Sequence, residues 1–231
     1  MKGNVQNLIT SGFSVLSRKN FSDVCGKLKQ NKRRKRGGKM RQLETFEEKT
    51  LAREEIFHGH IIDVVVDQVQ LPNGQQAKRE LVFHPGAVGI IAITEEQKMV
   101  LVKQFRKPLE KVILEIPAGK IDPGEGSQPE LTAARELEEE TAYRAETLEH
   151  LTSMYLSPGF ANEQMHLYHA KQLTKVSNPL PQDEDEFLEI CELTLEQAKI
   201  EIERQTICDA KTIYAIQYWE LLLAKGGHSH E

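Results

Sequence analysis

A chain of 231 residues with 39% hydrophobic residues is long enough to bury a sizeable core in one large domain or two small ones. No apolar run approaches the roughly 18 to 20 residues of a membrane span, and residues 1–20 lack the pattern of a secretory signal, so a soluble cytoplasmic protein with no membrane partner is expected. Cys25, Cys191 and Cys208 are widely spaced and odd in number, and the eight histidines show no ligand spacing, which argues against a disulfide framework and a Cys/His metal site.

The formal net charge of −5 hides an asymmetry. Residues 1–39 carry eleven Lys or Arg against the single acid Asp23, which leaves nineteen basic and thirty-four acidic residues from Met40 onward, a net of −15. Residues 27–41, KLKQNKRRKRGGKMR, have no apolar periodicity beyond Leu28, and repulsion among their charges favours an open, solvated chain. Residues 1–43 are therefore expected to form a basic, disordered extension. It reads either as an arm that neutralises nucleic-acid phosphates or as a plain tail; the lack of an aromatic residue in the cluster favours the tail, so nucleic acid is not the expected partner. Residues 33–39 also read as a translated purine-rich ribosome-binding site, which would make Met40 the native start.

From residue 47 to residue 88 short alternating apolar stretches recur at 61–69 and 81–83, joined by Leu71-Pro72-Asn73-Gly74, whose glycine can take the positive φ of a tight turn. A small antiparallel sheet is expected over residues 44–86. Strand-like segments follow at 87–93 and 99–102 around a polar turn at 94–98, and open a larger domain over residues 87–231. Helices are expected at Pro129–Thr141, 195–204 and 210–223. In the last of these, Ile213, Ile216, Tyr218, Trp219, Leu222 and Leu223 recur at the three- and four-residue spacings of a buried stripe.

The helix expected at Pro129–Thr141 carries Arg135-Glu136-Leu137-Glu138-Glu139-Glu140, preceded by Ser127-x-x-Glu130 at capping-box spacing, with Pro129 suited to its first turn. Glu136, Glu139 and Glu140 lie three and four residues apart, so their carboxylates crowd one face and repel by roughly a few tenths of a kcal/mol per pair. A hard divalent cation would offset that repulsion: Mg²⁺ is typically held by a few carboxylates together with substrate phosphates and waters. The competing reading is a solvated acidic helix face.

Upstream stands Glu115-Ile116-Pro117-Ala118-Gly119-Lys120-Ile121-Asp122-Pro123-Gly124-Glu125, and here the sequence resembles the Nudix hydrolase family, whose box reads G-x5-E-x7-R-E-U-x-E-E-x-G-U with U a bulky aliphatic residue. Gly119, Glu125, Arg135, Glu136, Leu137, Glu139 and Glu140 match its specified types. Nine residues rather than seven separate Glu125 from Arg135, an insertion that a loop tolerates. Ala142 stands where the box has its last Gly, which costs roughly 1 kcal/mol if the position takes a left-handed cap, so the helix is expected to end differently from the family pattern. Within the family the likeness is to the ADP-ribose pyrophosphatase type, through residues 115–120 and Ser157-Pro158-Gly159-Phe160. Pro158 stands sixteen residues beyond Ala142, the offset that marks ADP-ribose-type substrates.

The resemblance implies an α+β Nudix fold, a mixed β-sheet sandwiched between helices, behind the small antiparallel N-terminal sheet. It implies Mg²⁺, with Mn²⁺ as the alternative, bound by Glu136 and Glu140 with Glu139 and the backbone carbonyl of Ala118, and a share in catalysis for Glu139. Arg135 would orient the carboxylates through a bidentate pair, with Glu125 behind it. The acidic run Asp183-Glu184-Asp185-Glu186 falls where related enzymes carry a catalytic loop, and Glu184 or Glu186 is the candidate for positioning or deprotonating water; its competing reading is a solvated loop. Arg79 and Arg106 match positions that grip phosphate or ribose, with a surface salt bridge the competing reading for Arg79, Glu115 matches a position that contacts the terminal ribose, and Pro158, the marker of the substrate type, counts with the substrate-binding residues. A homodimer joined through the N-terminal sheet is implied. The expected reaction is Mg²⁺-dependent hydrolysis of the pyrophosphate bond of ADP-ribose to AMP and ribose 5-phosphate. The alternatives are another nucleotide sugar, an oxidised nucleotide or an RNA cap as substrate, or a non-catalytic ADP-ribose sensor, against which the retained Glu136, Glu139 and Glu140 argue.

Overall fold

The computed structural model of the chain describes residues 46–122, 124–182 and 186–226. The expectations for residues 1–43, including Cys25, and for Asp183, Glu184 and Asp185 lie outside the described residues.

Strands β1 (Lys49–His58), β2 (Asp63–Gln70) and β3 (Gln76–Phe83) form a three-stranded antiparallel sheet in that order. The turn between β2 and β3 closes where the sequence places it, with Gly74 at φ 84° and its N–H donating to the Leu71 carbonyl at 2.9 Å. Strand alternation puts Val65, Asp67 and Val69 of β2 on the buried face. Asp67 is tolerated there because the Arg53 guanidinium grips both its oxygens at 2.7 and 2.8 Å, a fork that holds its carboxyl below the usual carboxylate range.

Strand β4 (Ala87–Ala92) is buried at all six positions. It lies at the centre of a mixed four-stranded sheet in the order β7 (Ala118–Lys120), β4, β9 (Gln164–Lys175), β8 (Tyr143–Tyr155), parallel to β9 and antiparallel to β7. A second antiparallel sheet sets β5 (Met99–Arg106) between β10 (Glu189–Leu193) and β6 (Lys111–Glu115). Helix α1 is Pro129–Thr141, α2 is Leu195–Glu203 and α3 is Ala210–Gly226.

The pleat of β4 divides the apolar interior into two cores. Val88, Ile90 and Ala92 pack with Ala133 and Leu137 of α1, whereas Ala87 and Ile91 pack with β5, β6 and the helix residues Leu195, Ala198, Ile216 and Trp219. This is the mixed sheet between helices that the resemblance implies. The stripe expected on α3 holds through Trp219 but not to its end: Leu223 is exposed, as is Leu221, because the last turn runs past the core.

Helix α1 has the expected limits, but two expectations about its ends are corrected. Gln128, not Ser127, is the N-cap, and no side chain caps it, because Pro129 opens the helix directly; the capping box of this chain is at α2, where Thr194 accepts from the Gln197 N–H and Gln197 from the Thr194 N–H. At the other end Ala142 does take the left-handed cap, φ 55° and ψ 26°, with its N–H bonded to the Glu138 carbonyl, so the helix ends without glycine. No helix among the described residues is long and apolar enough to cross a membrane. Cys191 and Cys208 are free thiols.

Candidate active site

The carboxylates of α1 are carried to the inner side of the helix, where they meet β7. Glu140 is 2% exposed and accepts the Ala118 N–H at 3.0 Å; Glu136 is also buried and lies directly over Gly119, where a Cβ would fall 2.0 Å from its carboxyl carbon. The box glycine is thus explained by close approach: any side chain there would occupy the space of the Glu136 carboxylate. Arg135 does not form one bidentate pair. Its fork is split among more carboxylates than it can match, with Nη1 on Glu139 at 2.7 Å and Nη2 3.0 Å from Glu136, 3.5 Å from Asp122 and 3.7 Å from Glu125. Glu125 in turn accepts the Thr132 hydroxyl at 2.8 Å, tying the lengthened loop to the helix.

Charge is left over. Burial pushes the Glu136 carboxyl up to about 7; Arg135 pulls against this, and Glu139 and Glu186 add repulsion. Burial pushes Glu140 up to about 8, with the Ala118 N–H pulling the other way and Glu136 and Glu186 pushing it further. Two buried acids that repel each other beside a third acid on a loop suit a hard cation. Among the described residues no group of three His, Cys, Asp or Glu side chains forms a metal cage by itself. Close, buried carboxylates such as Glu136 and Glu140 are the donors a hard cation like Mg²⁺ takes, with waters and substrate phosphates completing its shell.

A cleft of about 540 Å³ opens beside these groups. It is lined by Ala118, Gly119, Arg135 and Glu136, by Glu186 from the loop before β10, and by Arg106, Glu115, Asp209 and Lys211. The structure therefore brings Arg106, Glu115, Ala118, Glu136 and Glu186 to one cavity, with Glu139 and Glu140 beside it on the same helix. Glu115 is 3% exposed, and both its oxygens are engaged, by Arg106 Nε and by Lys211 Nζ, each at 2.5 Å.

Two expected residues lie elsewhere. Arg79 on β3 is bound by Glu48 at 2.6 and 2.8 Å and does not line the cleft. Pro158 is exposed in the turn after β8, in which the Phe160 and Ala161 N–H groups donate to the Ser157 carbonyl, and it does not line the cleft either. Glu138, at the unspecified position of the box, sits on the opposite side of α1, where it pairs with Arg144 and accepts the Leu180 N–H at 3.2 Å.

Sequence reasoning missed Asp209 and Lys211. Asp209 caps α3 through its carboxylate, which accepts the Thr212 N–H at 3.1 Å, so an Asp just before an apolar-periodic run was the available signal. Lys211 carried a subtler one: a cation in the first turn of a helix opposes the macrodipole and needs a local reason to be there.

Comparison with known proteins accounts for the arrangement. A family model described as the NUDIX domain matches residues 83–215. The chain belongs to the Nudix hydrolase family. The sheet in front of this Nudix domain matches a second model, the nucleoside diphosphate sugar hydrolase N-terminal domain, over residues 48–82. Curated relatives of the Nudix chain include an ADP-ribose pyrophosphatase of Bacillus subtilis (strain 168), 53% identical over 78% of this chain and 96% of that protein. They include a methanol dehydrogenase activator of Bacillus methanolicus, 56% identical over 76% of this chain and 94% of that protein. Among solved structures, an ADP compounds hydrolase superposes with a TM-score of 0.68 at 24% identity, covering 79% of this chain and 96% of its own, which shows the shared fold.

Proposed function

We propose that this Nudix hydrolase cleaves the pyrophosphate bond of ADP-ribose, giving AMP and ribose 5-phosphate, with Mg²⁺ as its metal. The observation that carries the reading is the pair of buried, mutually repelling carboxylates Glu136 and Glu140 at a cleft that Arg106 and Glu186 also line. Sequence identity of 53% with a protein named ADP-ribose pyrophosphatase supports the substrate.

In this reading Glu136 and Glu140, with Glu139 and the Ala118 carbonyl, hold the metal. Bound there, Mg²⁺ would supply charge neutralisation for the diphosphate and a lowered pKa for an attacking water. Gly119 keeps space for the Glu136 carboxylate, and Arg135 holds Glu136 and Glu139 in place. Arg106, which lines the same cleft, takes the diphosphate, since a guanidinium suits phosphate oxygens. Glu115, on the ribose side of the cleft, steadies Arg106. Glu186 is our choice over Glu184 as the group that orients the attacking water and takes its proton, because it lines the cleft.

The N-terminal sheet serves as the contact of a homodimer in this proposal. All ten residues of β1 are exposed, and Phe46, Leu51, Ile56 and Phe57 present apolar surface that a monomer leaves in water. Arg79, tied to Glu48, and Pro158 meet substrate only through such a second copy. The reading carries a cytoplasmic location, with which free Cys191 and Cys208 agree.

The test is AMP release from ADP-ribose against ADP-glucose, NADH, diadenosine polyphosphates and 8-oxo-dGTP, with Mg²⁺ and then with EDTA. Preferential, EDTA-sensitive cleavage of ADP-ribose supports the proposal; cleavage of another member in its place assigns the cleft to that substrate. The relative named for methanol dehydrogenase activation favours a second reading, in which the chain stimulates a dehydrogenase. Stimulation of methanol dehydrogenase turnover that Glu140→Gln abolishes would establish it.

A further inference from the structure

Along the part of the cleft that Arg106, Glu115, Asp209 and Lys211 line runs a chain of ion pairs. Lys211 is 7% exposed, and its ammonium donates to Glu115 Oε1 at 2.5 Å and to Asp209 Oδ1 at 3.0 Å. The other oxygen of Glu115 accepts from Arg106 Nε at 2.5 Å. All four line the cleft, but only Arg106 has a side chain more than a third exposed, at 38%, so it is the member with most surface to offer a ligand.

The base of the cluster is rigid. Thr212, the next residue of α3, accepts the buried Ile116 N–H at 3.0 Å, and the Leu114 N–H donates to the Thr206 carbonyl at 2.9 Å, so the start of α3 is fastened to the strand that carries Glu115. An ammonium buried in the first turn of a helix, against the macrodipole, needs compensation, which its two carboxylates provide. A plain core would fill this space with an apolar side chain at no such expense in desolvation.

We propose that Lys211 is a positioning residue for substrate binding: it holds Glu115 by the oxygen that Arg106 does not use, and Glu115 fixes the Arg106 guanidinium so that its terminal amino groups meet the diphosphate. The inference rests on the cleft being a nucleoside diphosphate sugar site. The geometry separates two tasks, since the metal-holding carboxylates stand on α1 and the Lys211 relay stands on α3, β5 and β6. Losing Lys211 therefore weakens the grip on the diphosphate and leaves the bond-breaking wall in place.

The experiment uses the full chain and Lys211→Met. Two readouts are taken: steady-state kinetics with ADP-ribose, and the Kd for inorganic pyrophosphate in the presence of Mg²⁺. Loss of one partner of a buried charge pair predicts KM and the pyrophosphate Kd both raised roughly tenfold or more, with kcat changed less than about threefold. A folded variant with unchanged KM and Kd, whatever its melting temperature, overturns the inference, because a merely structural lysine would give that result. If Lys211→Met does not fold, Lys211→Gln, which keeps a donor toward Glu115 without the charge and leaves Glu115 and Arg106 untouched, is read by the same two constants: raised values support positioning, and wild-type values overturn it. Failure of the wild-type protein to cleave ADP-ribose would sink the proposed substrate instead, and the pyrophosphate comparison would still decide the role of Lys211.

Discussion

Replacing Gly119 with alanine would separate the geometry of the metal-holding wall from the stability of the fold. A Cβ at Gly119 would fall 2.0 Å from both Cδ and Oε1 of Glu136 and 2.6 Å from its Cγ. Ordinary contact needs about 3.5 Å, so the carboxylate must retreat by about 1.5 Å. It can do so, because it is the end of a flexible side chain and Gly119 does not sit at positive φ. The displaced rotamer costs about 0.5–1.5 kcal/mol, and the loss of a glycine from the unfolded chain returns about 0.4–1 kcal/mol, so the melting temperature should stay within about 4 °C of wild type. Catalysis has no such compensation: a misplacement of about 1 Å costs on the order of a hundredfold in rate. The assay is AMP release from ADP-ribose over a Mg²⁺ titration, paired with a thermal melt. Gly119→Ala should melt normally, lose about two orders of magnitude in turnover and need more Mg²⁺. A folded variant that turns over within about threefold of wild type would refute the argument that this glycine exists to seat the Glu136 carboxylate.

Ala142→Gly relieves a left-handed residue that bears a Cβ, and should raise the melting temperature by about 2–4 °C, corresponding to about 1 kcal/mol; a lowered value in calorimetry would show that the cap is not strained. Glu140→Gln should remain folded and lose most turnover, and metal-free melts should show why. The folded protein raises Glu136 to about 7 and Glu140 to about 8 from an ordinary 4.5, so their contribution to stability is fully present below about 4.5 and is lost as pH rises through those values. In EDTA the wild type should therefore melt progressively lower from about pH 4.5 to about pH 8 and level off above that, and Glu140→Gln should show a smaller decline; equal declines would count against the burial of that charge. Trp219→Ala opens the core under α3 where the indole is 2% exposed, and should cost about 3–5 kcal/mol, readable as a fall of about 10 °C in calorimetry.

Local pattern carried much of this architecture. The hairpin turn at Gly74, the limits of α1 and the placing of Trp219 in the core all depend on neighbours a few residues away, and spacing or turn chemistry reveals them. Clustering of glutamates on one helical face was legible for the same reason. What stayed hidden is what the fold brings together from afar. Lys211 and Glu115 are 96 residues apart, and no periodicity links them. Arg79 was legible as a cation, but its engagement with Glu48, 31 residues away, depends on how the N-terminal residues lie against β3. The cap of α1 misled for a local reason: Ser127 has the right spacing to Glu130, but Pro129 starts the helix one residue later than a serine cap requires.

The pairing of Glu138 with the Leu180 N–H has a mechanical meaning. One face of α1 presents Glu136 to the cleft, with Glu140 beside it, and the opposite face binds the Leu180 N–H through Glu138. Front and back of the same helix thus carry part of the active-site lining and an anchor for the backbone at Leu180. A substitution that loosens Glu138 would free Leu180 at the back and leave Glu136 seated over Gly119 at the front.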